Sequence, residues 1–329
     1  MSDSMVAAGA HAAGQALSEL QPQICFGKCQ LLGIGIHCDK FDAVNDVEVD
    51  DYLKGVVPAE MYSNWHLEAF KAQAVAARTY ALYESRTGGV GRYWDVFPDV
   101  RSQMYGGLDR ETTQARQAVD DTAGLVLTYG PGDGKIFRAY FSSCCGGVTQ
   151  AAADAFPGEA YIPPLAEQYH GPCCNQSKYF NWGPITIRKQ ELTRRIRLWG
   201  QRMAQAAGRT FPEASMAELY RIDVQATNRY GRPSRVLITD ARGTPYSLAA
   251  EEMRSAVNTD APAGTTLPSS FCKINGDPNA DSVTFYDGHG FGHGVGMCQW
   301  CAESHAAAGH SYEQILLNAY PQAKLVRAY

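Results

Sequence analysis

The sequence lacks any long apolar run. No stretch approaches the roughly 18 to 20 apolar residues that a membrane-spanning helix needs, so no transmembrane span is predicted. Long runs of basic residues are also missing, and the formal net charge is −5. Because phosphate neutralisation requires clustered lysine and arginine, nucleic acid is excluded as the main partner. Charged residues make up 19% and hydrophobic residues 45% of the chain, which indicates a globular protein with a buried core.

The N-terminal segment lacks the pattern of a secretory signal peptide. Residues 4–17 are rich in small residues, but no basic residue precedes them, and His11 and Gln15 interrupt the run. We expect residues 1–29 to be a leader or a disordered tail. The segment does not decide the compartment of the protein.

Cysteine, by contrast, is abundant, with ten residues in the chain. Six of them form two adjacent pairs and one C-x-x-C motif: Cys144-Cys145, Cys173-Cys174 and Cys298-x-x-Cys301. An exported protein could pair such residues as disulfides. In a reduced protein, the doublets and the C-x-x-C motif are more typical of metal ligands.

The C-x-x-C motif predicts a metal site, because both of its thiolates can reach one ion from a tight turn. A tetrahedral ion needs two more ligands, which the doublets can supply. We therefore predict that Cys145, Cys298 and Cys301 converge on one site, which Cys144, Cys173 or Cys174 completes. Zinc is the favoured occupant, and an iron–sulfur cluster is the alternative. His289 or His293 could replace one thiolate.

Strand-like and helical patterns occur in the first third of the chain. From Gln30, the segments LLGIGI and VEVDDYLKGVV are typical of strands, and Pro58 ends the second one. The clearest helix runs from His66 to about Ser85. Alanine and straight-chain residues dominate it, and its apolar residues recur at helical spacing.

The rest of the chain mixes both types of element. The pattern predicts a helix over Glu111–Thr122, a hairpin in LVLTYGPGDGKIFRAYFSS, a basic amphipathic helix over 185–208, strands within 220–248 that turn at Gly231, and a loop over 258–270. Runs of strands with inserted helices favour an α+β fold with a mixed, strand-rich core.

The expected site of function is a cleft beside the helix at about 66–85. We expect one catalytic region over residues 30–329, divided into two subdomains of about 30–180 and 181–329.

Glu60 lies at the start of the most informative segment, VVPAEMYSNWHLEAFKAQAVAARTYAL. An acid in a loop between two rigid elements is well placed to face a cleft. Lys71 and Arg78 are two helical turns apart and share a helix face, so they could present two cations to Glu60 or to a bound sugar. The alternative is a helix-entry acid favoured by the helix dipole, with two surface cations.

The segment VVPAEM…W…EAFKAQAVAARTY resembles the signature of the stage II sporulation protein D (SpoIID/LytB) family. Three further segments agree in order: YGGLDRET (Tyr105 to Thr112), AYFSSCCGGVT (Ala139 to Thr149) and GHGVGMCQWCA (Gly292 to Ala302). The resemblance covers nearly the whole chain from about residue 30. At the end of the third segment, relatives usually read Ser-Gln-Trp-Gly-Ala, whereas this chain has Cys298-Gln-Trp-Cys301-Ala.

The resemblance implies a peptidoglycan lytic transglycosylase with Glu60 as its catalytic acid and base. It places Lys71 and Arg78 along the same cleft, and Tyr140 and His293 are further candidates for substrate binding. One carboxyl group is enough for such a reaction, because the C6 hydroxyl of the muramyl residue replaces water and yields a 1,6-anhydro product. Ordinary glycosidases need two carboxyl groups.

The implied partners are peptidoglycan glycan strands and a cell-wall amidase, and the implied location is the cell envelope, the periplasm or the cell exterior. Two alternatives stay open. One is a non-catalytic cell-wall binding protein, since the family includes members described as amidase enhancers. The other is a zinc or iron–sulfur protein that reuses the fold.

Overall fold

A computed structural model describes residues 23–31, 41–87 and 94–329. The helices of these residues are α1 (Val49–Glu60), α2 (Leu67–Thr87), α3 (Thr113–Asp121), α4 (Ala152–Ala155), α5 (Lys189–Ala207), α6 (Ala250–Asn258), α7 (Gln299–Ala307) and α8 (Tyr312–Ala319). Short 3-10 turns are found at Leu108–Arg110, Pro163–Leu165, Gly171–Cys174 and Pro212–Ser215.

The strands are short and belong to several small sheets. They are β1 (Gln23–Leu31), β2 (Phe41–Glu48), β3 (Leu125–Tyr129), β4 (Lys135–Ile136), β5 (Phe141–Ser142), β6 (Asn181–Trp182), β7 (Ile185–Arg188), β8 (Leu219–Thr227), β9 (Pro233–Asp240), β10 (Pro245–Ala249), β11 (Lys273–Asn275), β12 (Ser282–Tyr286), β13 (Gly288–His289), β14 (Met297–Cys298) and β15 (Lys324–Arg327). The predicted α+β class is confirmed. Among the described helices, none is both long enough and apolar enough to cross a bilayer.

The chain forms two compact units. The first contains the residues up to Ala139 together with Gly309–Leu317 and Gln322–Tyr329, and the second contains Tyr140–Ala308 and Asn318–Pro321. The division thus falls at residue 139 rather than near residue 180, and the last residues of the chain belong to the first unit.

The first unit begins with two paired strands. β1 and β2 are antiparallel, with Gln23 opposite Glu48 and Leu31 opposite Phe41. Residues 23–29 of the expected leader or disordered tail over 1–29 belong to β1, while residues 1–22 lie outside the described part. Residues 32–36 of LLGIGI also lie outside it.

The segment predicted as a second strand is mainly helix α1. The interpretation was wrong because the alternating residues VEVD at its start are the end of β2 and the first turn of α1. From the first residue of α1 onward, the fully buried residues recur at the spacing of a helix face: Val49, Leu53, Val56 and Val57. Pro58 lies inside the last turn of α1 rather than ending a strand.

The predicted helix at 66–85 is confirmed as α2, which packs against α1, α3 and β3. Small buried residues such as Ala74, Ala77 and Ala81 allow its neighbours to approach closely. The predicted hairpin is confirmed as β3 and β4, although β4 has only two residues. The other edge of β3 pairs with β15 from the C-terminus.

The buried side chain of Arg78 on α2 connects α1, α3 and β3 of the first unit. Its side chain has no exposed surface, and its Nε and Nη2 both lie 2.8 Å from Asp50 Oδ1 on α1. The remaining donors reach the carbonyls of Val119 and Leu125 at 3.3 and 3.2 Å. The prediction that Arg78 lines a substrate cleft is corrected, because this guanidinium is buried and hydrogen-bonded within the unit.

The second unit contains two three-stranded antiparallel sheets, in the orders β10-β9-β8 and β11-β12-β7. The predicted strand pair with a turn at Gly231 is confirmed as β8 and β9. The predicted basic helix begins at Lys189, after strand β7, and its Leu192, Ile196 and Trp199 pack into the core with α6. One face of this helix is therefore part of the core of the second unit.

We predict that Arg78→Ala lowers the free energy of unfolding by about 3 kcal/mol, the lower end of the range for breaking a buried ion pair. The lower end applies because Asp50 stays partly in contact with water and accepts a hydrogen bond from Tyr329. Chemical denaturation measures the change. The control is Arg101→Ala, whose half-exposed pair with Asp99 should contribute within about 1 kcal/mol. Equal effects of the two variants would contradict the assigned role of Arg78.

Candidate functional site

Glu60 is the last residue of α1, and its side chain is partly exposed. The N–H of Met104 donates a hydrogen bond to Glu60 Oε1 at 2.9 Å. Met104 belongs to the segment that leads into the YGGLDRET motif, so two of the four motifs meet at this carboxyl group. The predicted position between a strand and a helix is corrected: Glu60 lies between two helices.

A close contact with α1 positions the segment that contains Met104. Gly55 of α1 accepts a hydrogen bond from Gly106 N at 3.0 Å. Any Cβ at Gly55 would lie 2.6 Å from the ring of Tyr105, so only glycine permits this approach. Tyr105 in turn stacks on Tyr52 with ring centroids 5.4 Å apart. The glycine of Leu-Lys-Gly55 is the sequence signal for this contact, and the sequence analysis did not use it.

Tyr52, which stacks on Tyr105, is a neutral polar residue next to this contact. Burial, followed by the charges of Tyr80 and Glu60, raises the pKa of Tyr52 well above its ordinary value. The phenol therefore stays protonated, and its O–H donates a hydrogen bond to Gln103 Oε1 at 3.2 Å. The amide of Gln103 donates to the carbonyl of Ala77 on α2, which links the segment to both helices.

Lys71 is engaged in ion pairs on the surface of α2. Its Nζ lies 3.1 Å from both Glu68 and Asp121. Although partial burial opposes it, hydrogen bonds with Asp121 and Glu68 raise the pKa of Lys71. The predicted shared face of Lys71 and Arg78 is real, but it packs toward α3 rather than presenting two cations to a ligand.

Tyr140 and His293, the other predicted substrate contacts, lie together in the second unit. Tyr140 is stacked on Phe156 at 4.7 Å, and the His293 ring meets both rings edge-on. The hydroxyl of Tyr140 donates to Glu159 at 2.9 Å. Tyr140 is buried, whereas Phe156 and His293 are partly exposed, so the three rings pack together and substrate binding by Tyr140 stays a prediction.

The ring of His293 is neutral and internally bonded. Its Nδ1 accepts the N–H of Val295 at 3.0 Å. Burial lowers the pKa of His293 to about 4, with Arg254 and Arg232 reinforcing the shift and Glu251 opposing it. A ring that accepts through Nδ1 carries its proton on Nε2.

Arg232, which the sequence analysis did not single out, joins the motif loops of the second unit. The guanidinium is almost completely buried and donates to the carbonyls of Cys145, Val148 and His293 at 2.9 to 3.3 Å. Gly294 must be glycine here, because a Cβ would lie 2.2 Å from Arg232 Nη1. The sequence analysis predicted only strands and a turn in this region.

Four cysteines converge within the second unit. The Sγ atoms of Cys145, Cys174, Cys298 and Cys301 all lie within 4.8 Å of one another, and all four residues are buried. Cys145 Sγ is 3.6 Å from Cys174 Sγ and 3.9 Å from Cys301 Sγ. The predicted convergence of Cys145, Cys298 and Cys301 agrees with this geometry, and Cys174 is the fourth member.

The first cysteine of each doublet borders the four-thiol group without belonging to it. Cys144 Sγ contacts the carbonyl of Cys174 at 4.0 Å, and Cys173 Sγ contacts His305 Nε2 at 3.6 Å. Cys144, which the sequence analysis also named as a possible ligand, is not one of the four mutually close thiols. His289 and His293, considered as substitutes for a thiolate, are not members of the four-thiol group.

We predict that protonation of His293 makes the protein less stable in acid. The pKa in the folded protein is about 4, whereas that of an unperturbed histidine is about 6.5. The contribution is therefore complete above pH 6.5 and falls as the pH drops toward 4. NMR of the ring measures the titration, and denaturation of wild type and His293→Gln between pH 7 and 4 isolates its effect. A His293 ring that titrates near pH 6.5 would contradict the assignment.

Comparisons with known proteins were consistent with these motifs. The family model of SpoIID, described as stage II sporulation protein, matches residues 37–129. An uncharacterised protein of Brachyspira hyodysenteriae is 30% identical over 88% of this chain and 69% of its own length.

Two relatives from Bacillus subtilis have names. The amidase enhancer is 27% identical, over 83% of this chain and 40% of its own length. Stage II sporulation protein D is 22% identical, over 92% of this chain and 81% of its own length. From its motifs and these matches, the chain belongs to the SpoIID family, whose members take part in cell-wall processing.

Proposed function

We propose that this protein is a lytic transglycosylase of peptidoglycan, with Glu60 as its general acid and base. The placement of Glu60 is the observation that supports this most directly. It is a partly exposed carboxyl group whose orientation is set by a main-chain N–H, at the point where two family motifs meet.

The carboxyl group of Glu60 lies at the C-terminal end of α1, where the N–H of Met104 donates to its Oε1 at 2.9 Å. A general acid must be held within hydrogen-bond reach of the group that it protonates, so a carboxyl group positioned by the main chain suits this role.

Apolar side chains around Glu60 offer a surface for a sugar ring. Tyr62 is 56% exposed, and the buried ring of Trp65 meets its edge at 5.2 Å. Met104 and Leu108 are also exposed on the neighbouring segment. A rigid aromatic ring with one open face can pack against the apolar face of a saccharide. We assign glycan contact to this surface rather than to Lys71 and Arg78, which are bonded within the first unit.

In the proposed reaction, the acid form of Glu60 protonates the glycosidic oxygen between N-acetylmuramic acid and N-acetylglucosamine. The bond from that oxygen to the muramyl anomeric carbon breaks. The carboxylate then removes the proton of the muramyl C6 hydroxyl, whose oxygen bonds to the anomeric carbon. The proton returns to Glu60, and no water is consumed.

The alternative is a cell-wall binding protein without catalysis that assists an amidase. The name of the amidase enhancer favours it, since that relative covers 83% of this chain. A pure binding protein, however, has no need of an oriented carboxyl group. The two functions differ in whether the purified protein alone cuts glycan strands.

We predict that Glu60→Gln abolishes cleavage of purified glycan strands while glycan binding and the fold persist. The substitution keeps the shape of the side chain and removes only its titratable proton. Loss of a general acid is expected to lower the rate by about 10²- to 10⁴-fold. Mass spectrometry of the digest measures turnover, and a pull-down with insoluble peptidoglycan measures binding.

Glu313→Gln is the matched control, because Glu313 is an exposed glutamate of α8. It should digest glycan like the wild type. If Glu60→Gln retained wild-type turnover, the catalytic assignment would be wrong. If the wild type cut nothing but stimulated an added amidase, the binding alternative would replace it.

We predict 1,6-anhydromuramyl ends on all new fragments, because the C6 hydroxyl and not water attacks the anomeric carbon. Such ends are lighter than reducing ends by one water molecule, so the same mass spectra distinguish them. A digestion in ¹⁸O-labelled water should leave the products unlabelled. Incorporation of the label would identify a hydrolase and exclude the single-carboxylate mechanism.

A further inference from the structure

We infer that Cys145, Cys174, Cys298 and Cys301 bind one structural zinc ion in a closed, tetrahedral site. The four sulfur atoms come from three separate segments of the second unit, and they meet although no disulfide joins them. This site is independent of the proposed glycan chemistry, which depends on Glu60 in the first unit.

The sulfur spacing matches a single ion. A Zn–S bond is about 2.3 Å, so the sulfur atoms of a regular tetrahedron around zinc lie about 3.8 Å apart. Cys145 Sγ lies 3.6 Å from Cys174 Sγ and 3.9 Å from Cys301 Sγ. A disulfide would need sulfur atoms at about 2.05 Å. An iron–sulfur cluster would need space for inorganic sulfide between the thiolates, which a group this compact does not leave.

The local backbone explains how the C-x-x-C motif presents both thiols. Cys298 precedes the first residue of α7, and Cys301 lies in the first turn of that helix. The chain therefore turns between them, and both side chains reach the same side. The N–H of Cys145 points at Cys298 Sγ over 3.3 Å. N–H donors of this kind stabilise the negative sulfur of a zinc thiolate.

The other two ligands come from the doublets. Cys174 ends the 3-10 turn at Gly171–Cys174, which packs against α7. Cys145 is held by its carbonyl, which accepts from buried Arg232 at 3.3 Å. Only the second cysteine of each doublet is one of the four mutually close sulfur atoms, while Cys144 and Cys173 border the group.

Polar groups around the thiols fit the outer contacts of such a site. His170 Nδ1 lies 3.7 Å from Cys145 Sγ, within reach of an N–H···S bond. His170 follows Tyr169 at the start of the 3-10 turn, and its N–H donates to the carbonyl of Gly147 at 2.8 Å. Contacts of this kind orient metal ligands.

Burial decides the role of the ion. All four ligands are buried and all four tetrahedral positions are taken by protein sulfur, so no position is left for water or substrate. Structural zinc sites have this composition, whereas catalytic ones keep one position open. Binding converts four thiols to thiolates and releases four protons, so each zinc replaces four protons in the core.

The test compares the two members of each doublet. Full-length protein, purified under reducing conditions, is analysed for metal as wild type and as Cys145→Ser, Cys174→Ser, Cys144→Ser and Cys173→Ser. We expect one zinc per chain in wild type, Cys144→Ser and Cys173→Ser. We expect zinc affinity to fall by more than about 100-fold in the other two, since even changes outside the ligand shell cost about 10- to 100-fold.

If the serine variants fail to fold, a spectroscopic measurement on wild-type protein tests the site instead. Wild-type protein is stripped with a chelator and titrated with Co²⁺, whose absorption should show the thiolate charge-transfer and ligand-field bands of tetrahedral four-sulfur coordination. Zinc should then displace the cobalt and bleach these bands.

Three results would overturn the proposal. The first is reduced protein that binds neither zinc nor cobalt, and the second is a brown protein with stoichiometric iron and sulfide. The third is loss of zinc in Cys144→Ser and Cys173→Ser but not in Cys145→Ser and Cys174→Ser. That result would mean that the first cysteine of each doublet, and not the second, binds zinc.

Discussion

A buried guanidinium must find acceptors for its N–H groups, and this constraint organises each unit of the protein. In the first unit, the side chain of Arg78 on α2 donates hydrogen bonds to Asp50 of α1 and to the carbonyls of Val119 and Leu125. In the second, Arg232 gathers the carbonyls of Cys145, Val148 and His293. Arginine is rarely buried unless paired, because an unsatisfied charge in the core is costly. The two motif regions thus keep their shapes through main-chain carbonyls that converge on arginine.

Much of the fold could be predicted from local patterns. The helix α2 follows from its alanine-rich composition, and the β8–β9 pair follows from two strand-like runs around Gly231. The failure at α1 has a physical reason. Its first residues continue the alternation of β2, so period-two and helical patterns overlap at Val49. Pairing of β3 with the C-terminal β15 joins residues far apart in sequence, and no local pattern reports it.

The candidate site was predictable in its residue types but not in their roles. Glu60 and the cysteines were identified because their chemistry is specific, and C-x-x-C spacing limits where two thiols can point. For Lys71 and Arg78, helical spacing shows which face the side chains occupy but not what that face meets. Here the face meets α3, where Asp121 and main-chain carbonyls accept the charge. Which cysteine of a doublet joins the group likewise depends on side-chain direction, which adjacent positions in a sequence do not reveal.

Glu60 and the four-thiol group differ clearly in their exposure to solvent. Glu60 keeps part of its surface in solvent, and the N–H of Met104 donates a hydrogen bond to its Oε1. The four thiols are closed off from solvent and face one another. A carboxyl group that must exchange a proton with a bound glycan needs the first environment. A metal that only maintains structure needs the second. Relatives usually have serine and glycine where this chain has Cys298 and Cys301. The proposed zinc ion would therefore add a stabilising centre to a motif region that Arg232 already holds.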